Sequence, residues 1–365
     1  MKLLFFIYAL SGGGAQRVLV NIANGLSKSH DVIIATNLNI PVAYQLDNRV
    51  KLHSLYPSNY SDLNKVIRIP CLYYRINRTV VHYQPDVIIS LIHIMNMRVI
   101  LANLFSKIPI IACEHTSYER KLDVISNLAR RYVDRLADKL VLLTQRDYKY
   151  LNDRYKGGFN NTIVINNPCS FSPTSKMKIC YKKKQILAVG RLNDWYVKGF
   201  DNLLLVWSKI APIAPEWCLV IAGDGDDNSK SYLNKITSKY QIEEQVIFIG
   251  FVSDIKKIYL ESSIFVLSSR NEGMPMCLIE AMSQGCAVAS FDCVSGPKEL
   301  ITHEKNGLLV KNQDNKDMEK AIVRLMTNDK LRNELACSAI QESYNYSIDK
   351  ILEKWNILFD DLNNK

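Results

Sequence analysis

The feature that most constrains this chain is an alternation of short continuous apolar runs with longer amphipathic stretches, played out twice with one break between. A strand buried on both faces reads as an unbroken apolar run. Both faces are buried when crossover helices cover a parallel sheet, so the alternation predicts a doubly wound α/β fold. In the first half the runs predict strands at 3–8, 31–36, 50–55, 87–91, 110–113, 140–143 and 163–165, with helices over 15–27, 62–81, 96–105, 124–137 and 145–155. Segment 166–184, with Pro168, Pro173, several serines and the lysines Lys182 to Lys184, interrupts the rhythm and reads as a linker. Strands then recur at 185–189, 218–222, 246–249, 264–267 and 287–290, with helices over 200–210, 229–240, 254–261 and 275–284 and a terminal helical pair. The chain has 365 residues, more than one core usually serves. Two Rossmann-like domains are expected, 1–170 and 178–345, with a C-terminal helix over 348–365 packing back on the first. Ligands of such sheets sit beyond the carboxyl ends of the strands, and two crevices facing each other would form a cleft.

Composition removes several classes. With 48% hydrophobic and 22% charged residues the chain is neither disordered nor repetitive. Nine scattered cysteines without C-x-x-C spacing read as small core residues in a reducing cytosol. The apolar run after Lys2 lacks an A-x-A-like site and reads as a first strand rather than a leader, and no run approaches the ~18 residues of a membrane span. The formal charge of +10 is confined to the first half: residues 1–175 hold 21 Lys+Arg against 11 Asp+Glu, while the rest hold 25 against 25. That excess is either solvated surface or a face for phosphates or an anionic lipid surface. Nucleic acid is not an expected partner.

Three strand-end motifs carry chemistry. Gly12-Gly13-Gly14 closes the first strand and opens a helix, where backbone N–H groups can approach a phosphate or sugar. Arg17 stands where a third glycine of G-x-G-x-x-G would be and no acidic residue ends the second strand, which disfavours a dinucleotide dehydrogenase; a tight turn is the competing reading. Gly190-Arg191-Leu192, with Lys198-Gly199 following, places two cations in one loop, a set suited to a departing diphosphate. Most specific is Glu272-Gly273-Met274-Pro275-Met276 leading into a helix through Glu280. Pro275 is expected as the first helical residue, so the surrounding amides form an anion site, and the two carboxylates can accept hydrogen bonds from hydroxyls on either side. A phosphate cradle between two hydroxyl acceptors describes a nucleotide sugar.

These residues resemble the retaining glycosyltransferases of family 4, which have the GT-B fold. The likeness also takes in Glu114-His115, Asn167-Pro168, Gly223-Asp224-Gly225, Ser268-Ser269, Gly285, Gly296-Pro297 and Asn306-Gly307. It implies that Glu272 touches the donor sugar, Glu280 holds the ribose, Arg191 and Lys198 neutralise the diphosphate, and His115 meets the sugar near the reacting carbon. Gly13, Gly14, Gly223, Gly225 and Gly273 to Met276 would line the donor. The stretch between Arg191 and Lys198 is longer than the family's usual spacing. Asp224-Gly225-Asp226 matches D-x-D, a metal-holding pattern in another glycosyltransferase class, but Arg191 and Lys198 already supply the charge; no metal and no cofactor beyond the donor are expected.

The reading is transfer of a hexose or N-acetylhexosamine from a UDP-sugar, with retention, onto a polyprenyl-diphosphate-linked saccharide in bacterial surface polysaccharide (O-antigen, lipopolysaccharide) assembly. The enzyme is expected in the cytoplasm, peripheral at the inner face of the membrane. Alternatives are a GT-B UDP-sugar epimerase and a non-catalytic sugar-nucleotide-binding subunit. In the region 62–81 an apolar stripe through Leu63, Val66, Ile67, Tyr73, Tyr74, Val80 and Val81 is interleaved with Lys65, Arg68, Arg75 and Arg78. It is either core packing broken or kinked at Pro70 or an anionic-membrane face held by the N-terminal domain.

Overall fold

A computed structural model describes residues 1–62, 64–156, 158–175 and 182–363. Leu63, Cys180 and part of the expected linker lie outside the described residues, and of Lys65 only the backbone is described. The chain forms two compact units, Met1–Ser170 with Ile348–Lys365, and Phe171–Ser347.

Unit 1 holds β1 (Lys2–Phe6), β2 (Asp31–Thr36), β3 (Lys51–Ser54), β4 (Val87–Leu91), β5 (Ile110–Cys113), β6 (Lys139–Leu142) and β7 (Thr162–Val164). They form one sheet ordered β3-β2-β1-β4-β5-β6-β7, parallel throughout. Its helices are α1 (Gly14–Leu26), α2 (Lys65–Tyr83), α3 (His93–Ala102), α4 (Val124–Leu128) and α5 (Gln145–Tyr155). Leu4, Phe6, Ile33, Ile88 and Leu140 are fully buried in one core cluster, the apolar runs of the sequence now stacked side by side.

Unit 2 repeats the plan with β8 (Lys183–Val189), β9 (Cys218–Ala222), β10 (Val246–Gly250), β11 (Ser262–Leu267), β12 (Ala287–Phe291) and β13 (Leu308–Val310), ordered β10-β9-β8-β11-β12-β13 and again parallel. Around it lie α6 (Trp195–Lys198), α7 (Phe200–Ile210), α8 (Asp227–Tyr240), α9 (Ile255–Glu261), α10 (Met276–Ser283), α11 (Pro297–Leu300), α12 (Asn315–Thr327) and α13 (Asp329–Ser343). Helix α14 (Ile348–Asn363) belongs to unit 1, where it packs on α1. The two sheets give the GT-B α/β class.

Several local expectations are corrected. The helix expected over 124–137 is three segments: α4, a π-helical turn Ala129–Val133 and a 3-10 turn Asp134–Leu136. Pro70 does not break α2, which runs from Lys65 through Tyr83. The proline stands in the second turn, and Leu72, Ile76 and Val80, buried against the core, hold the helix beyond it. The stripe read from the sequence is not the core face: Val66, Ile67, Tyr74 and Val81 are exposed, and of that set Val80 is buried. Pro275 is the cap residue, with Met276 first in α10. Strand β13 (Leu308–Val310) was not expected.

Candidate active site

The carboxyl ends of β8, β9, β11 and β12 carry the sequence motifs of unit 2. The long stretch after Arg191 is taken up by a 3-10 turn, Leu192–Asp194, and the single turn of α6, which compact it. Gly199 then ends α6 at φ 65, and a Cβ there would lie 2.0 Å from the Ser268 carbonyl oxygen, so only glycine lets this turn rest on the end of β11. The hydroxyl of Ser268 donates to the Lys198 carbonyl at 2.8 Å. Thus docked, the Lys198 Nζ lies 2.8 Å from Glu272 Oε1, which also accepts from the Ser269 hydroxyl at 2.6 Å. Burial alone would lower the lysine's pKa; the adjacent Glu272 carboxylate outweighs it and holds the ammonium above its ordinary range. The structure therefore brings together Lys198 and Glu272, residues 74 apart in sequence.

Glu272 begins the turn into α10. Its amide donates to the Val294 carbonyl and its carbonyl accepts from the Ser295 amide, so the segment after β12 braces the turn. At Gly296 a Cβ would fall 2.3 Å from the Gly273 oxygen and 2.7 Å from the Met274 Cα; the brace fits because that side chain is absent. Pro275 caps α10 without a side-chain hydrogen bond, and the first amides of the helix point out of its N-terminus as an anion would require. Glu280, on the second turn, is buried and accepts from the Tyr259 hydroxyl at 3.1 Å. Met274 and Met276 are buried beside this turn.

Arg191 stands apart from the Lys198 pair. Its side chain is 70% exposed and reaches Asp194 at 2.7 Å, a pairing that a phosphate could displace. Gly223 and Gly225 border the same loop: a Cβ on Gly223 would meet the Gly190 oxygen and one on Gly225 the Asn193 side chain. The D-x-D carboxylates have local work: Asp224 pairs with Lys230 at 2.7 Å and Asp226 caps α8 by accepting from the Ser229 amide at 2.8 Å. Among the described residues no cluster of His, Cys, Asp or Glu has the arrangement of a metal site.

Gly13, Gly14 and His115 belong to unit 1. Gly13 gives its amide to the Tyr44 hydroxyl at 2.8 Å and accepts from the same hydroxyl at 3.0 Å, while Gly14 opens α1. His115 follows β5 beside the buried Glu114. Burial pushes its imidazole down to about 4, against the opposing pull of Glu114, so the ring is neutral near pH 7.

Sequence reasoning missed Arg270, which joins Asp201 through two bonds of 2.7 and 2.8 Å and stacks over Tyr196, tying the β11 loop to α7 and α6. It also missed Tyr44 and Tyr259, whose partners are remote in sequence. Ser269 was in view as part of a motif, but its bond to Glu272 was not.

Comparison with known proteins adds to this geometry. Residues 12–170 match the family model "Glycosyltransferase Family 4" and residues 175–342 the model "Glycosyl transferases group 1". An uncharacterized glycosyltransferase of Haemophilus influenzae is 32% identical over 358 residues, covering 97% of this chain and 98% of that one. The amylovoran biosynthesis glycosyltransferase AmsD of Erwinia amylovora is 31% identical over 365 residues, with 97% and 98% covered. At 28% identity over 373 residues, covering 100% and 99%, stands an alpha-1,4-N-acetyl-D-galactosaminyltransferase of Campylobacter jejuni whose name gives the acceptor GalNAc-alpha-(1->4)-GalNAc-alpha-(1->3)-diNAcBac-PP-undecaprenol. Among solved structures, Anabaena HepE in complex with UDP and glucose superposes with a TM-score of 0.83 over 99% of each chain at 19% identity, a likeness of fold.

Proposed function

The chain belongs to the family 4 glycosyltransferases, and on that premise we propose that it moves a hexose or N-acetylhexosamine from a UDP-sugar, with retention, onto a hydroxyl of a polyprenyl-diphosphate-linked saccharide in surface polysaccharide assembly. The observation that carries the proposal is the Lys198–Glu272 pair at the mouth of α10. A diphosphate seated over the helix N-terminus finds the Lys198 ammonium already fixed, and a sugar hydroxyl finds the Glu272 carboxylate. Arg191 is the second cation, free to leave Asp194, and Glu280 accepts from the ribose.

In the transfer, the bond between the anomeric carbon and the diphosphate oxygen breaks as the acceptor oxygen approaches the same face. The acceptor's proton passes to the departing diphosphate, and no enzymic nucleophile enters. The protein's part is fixed charge against a leaving group that gains charge, together with positioning. The neutral imidazole of His115 meets a sugar hydroxyl near the reacting carbon as a hydrogen-bond partner rather than as a cation. Gly13 and Gly14 present the start of α1 to the donor.

The lipid-linked acceptor is supported by the acceptor in the Campylobacter relative's name, and polysaccharide assembly by the amylovoran relative. No helix among the described residues is long and apolar enough to cross a membrane. Unit 1 instead exposes apolar side chains on neighbouring segments: Val66, Ile67 and Tyr74 of α2, Phe105 after α3, and Val124, Ile125 and Leu128 of α4. With the basic excess of the first half, that face suits peripheral attachment to an anionic surface at the inner face of the membrane.

The test is incubation of purified protein with UDP-, GDP- and ADP-sugars and a short lipid-linked saccharide. Transfer from a UDP-sugar with an axial-to-axial product by anomeric coupling, unchanged in excess EDTA, is the expected result. Conversion of the donor without acceptor would make it an epimerase. Donor binding without turnover would make it a carrier subunit, and restoration of lost activity by Mg²⁺ would return Asp224 and Asp226 to the site.

A further inference from the structure

The turn that carries His115 is short, irregular and ends with its polar groups below the surface, so something must hold it. Glu114 is 2% exposed, and its Oε1 accepts from the Thr116 amide at 3.0 Å, curling the chain directly around His115. A buried carboxylate needs a counter-charge, since desolvation alone would neutralise it. The permanent charge is Arg130, 3% exposed, and the His93 ring also faces the carboxylate, its Nδ1 3.7 Å from Glu114 Oε2. The Arg130 Nε donates to Glu114 Oε2 at 2.9 Å, one terminal nitrogen to the Thr116 carbonyl at 2.8 Å and the other to the Ser117 carbonyl at 3.1 Å. The guanidinium carbon also sits 4.7 Å from the centre of the Tyr118 ring. One side chain therefore touches every residue of 114–118 except His115 itself.

Arg130 occupies the second position of the π-helical turn Ala129–Val133. The wider helical winding sets this arginine into the core where regular winding from α4 would change its direction, and such turns recur at functional sites. A buried five-donor fork matched to a carboxylate and two carbonyls is more than neutralising Glu114 requires; a lysine would do that.

We infer that Arg130 is a positioning residue for sugar transfer, acting through the 114–118 turn to fix His115 in the orientation the reaction uses. The inference rests on the proposed role of His115, and a readout independent of turnover separates the two. Arg130→Lys keeps a cation beside Glu114 but cannot span three acceptors. The imidazole of His115, assigned in ¹³C-histidine spectra by its loss in His115→Gln, is expected to titrate at about 4 in the intact turn. In Arg130→Lys a loosened, wetter turn should move that midpoint up by ~1 unit or more. Turnover should fall ~10-fold with the UDP-sugar KM within about twofold, the pattern of a lost transition-state interaction. The same substitution made in His115→Gln should cost nothing further. Unchanged UDP-induced thermal stabilisation checks that unit 2 is intact. An imidazole that titrates alike in both proteins, or an equal loss of turnover in both backgrounds, overturns the inference. A shifted midpoint with full turnover keeps Arg130 as the clamp and removes His115 from the reaction instead.

Discussion

Units 1 and 2 share the order of their first six strands and differ in how the same loops are used. The loop after the fifth strand of unit 1 presents His115 and is held from behind by Arg130. Its counterpart after the fifth strand of unit 2, Asp292 to Gly296, presents nothing of its own and instead braces the Glu272 turn. The loops after the first strand differ likewise: glycines held by Tyr44 in one, Arg191 and the turn leading to Lys198 in the other. The same topology thus offers several strand ends, and which one carries chemistry is decided by side chains that buttress it. Charge differs as well, balanced over residues 176–365 and in basic excess over 1–175, while each unit holds an ion pair, Glu114–Arg130 in unit 1 and Lys198–Glu272 in unit 2.

The strongest way to break this comparison is Glu272→Gln. The amide is nearly isosteric and still accepts from Ser269, so unit 2 should fold, while Lys198 loses its counter-charge and the sugar its acceptor. Transfer should fall by ~10² or more with a melting temperature close to that of the wild type. Near wild-type kcat would show that the ion pair is structural and that unit 2 has no reacting side chain at this loop.

Next in size is Gly296→Ala, which tests the brace. The added methyl must displace the Gly273 carbonyl or the Met274 backbone, and backbone gives way less easily than a side chain. UDP affinity measured by calorimetry should weaken ~10-fold, about 1.4 kcal/mol, with little change at the His115 turn. Unaltered affinity would mean that the Glu272 turn holds its shape without the second loop.

These contrasts were only partly visible in the sequence. The alternation of apolar runs sufficed for both sheets because strand burial is written in continuous local composition. The E-x7-E motif sufficed for Glu272 and Glu280 because both lie in one strand-turn-helix unit. The Lys198–Glu272 contact was not legible as a contact, since it depends on a glycine-capped turn docking 70 residues away in sequence, at the Ser268 hydroxyl. The π-helical turn was hidden because its residues carry an ordinary helical pattern, and Glu114, the partner of its arginine, lies on another element. On α2 the exposed and buried apolar residues are alike in kind, so the sequence left the stripe open between core packing and an outward face, and most of it is exposed.

A smaller effect should separate the units by pH. Burial, and next the negative Glu114, raise Asp134 to about 8, while its carboxyl accepts from the Tyr118 hydroxyl at 2.5 Å. The folded state then keeps a proton that the unfolded chain loses near 4, so this contribution is complete below pH ~4 and is lost as the pH rises through 8. The His115 contribution has the opposite sign: its folded value is depressed, so stability is present above pH ~6.5 and lost as the pH falls toward 4. Urea unfolding followed at Trp355, the tryptophan of unit 1, should show a midpoint that declines from pH 6 to 9. Asp134→Asn should flatten that decline, and an equal slope in both proteins would place the titrating group elsewhere.

The smallest effect concerns the exposed side chains of α2 in unit 1, where the structure changes which residues to alter. Arg75 is not available to a membrane, because its guanidinium donates to the Leu55 and Ser54 carbonyls at 2.6 and 3.0 Å and so closes the end of β3. Arg68 lies over the Tyr60 ring. Arg78, together with Ile67 and Tyr74, is exposed on α2 and can be changed without touching the core. A basic residue near an anionic bilayer contributes about 1 kcal/mol, so Arg78→Gln should weaken vesicle binding only ~5-fold. The reach of that attraction shrinks from ~10 Å at 0.1 M salt to ~3 Å at 1 M, whereas apolar insertion is not screened. Co-sedimentation with vesicles of graded anionic lipid therefore distinguishes the two contributions: Arg78→Gln should reduce the salt dependence, and Ile67→Ser with Tyr74→Ser should reduce the salt-resistant remainder. Should neutral vesicles bind as well as anionic ones, charge has no part in attachment; should none of the substitutions matter while the wild type binds, the contact lies on another face of unit 1 or on unit 2.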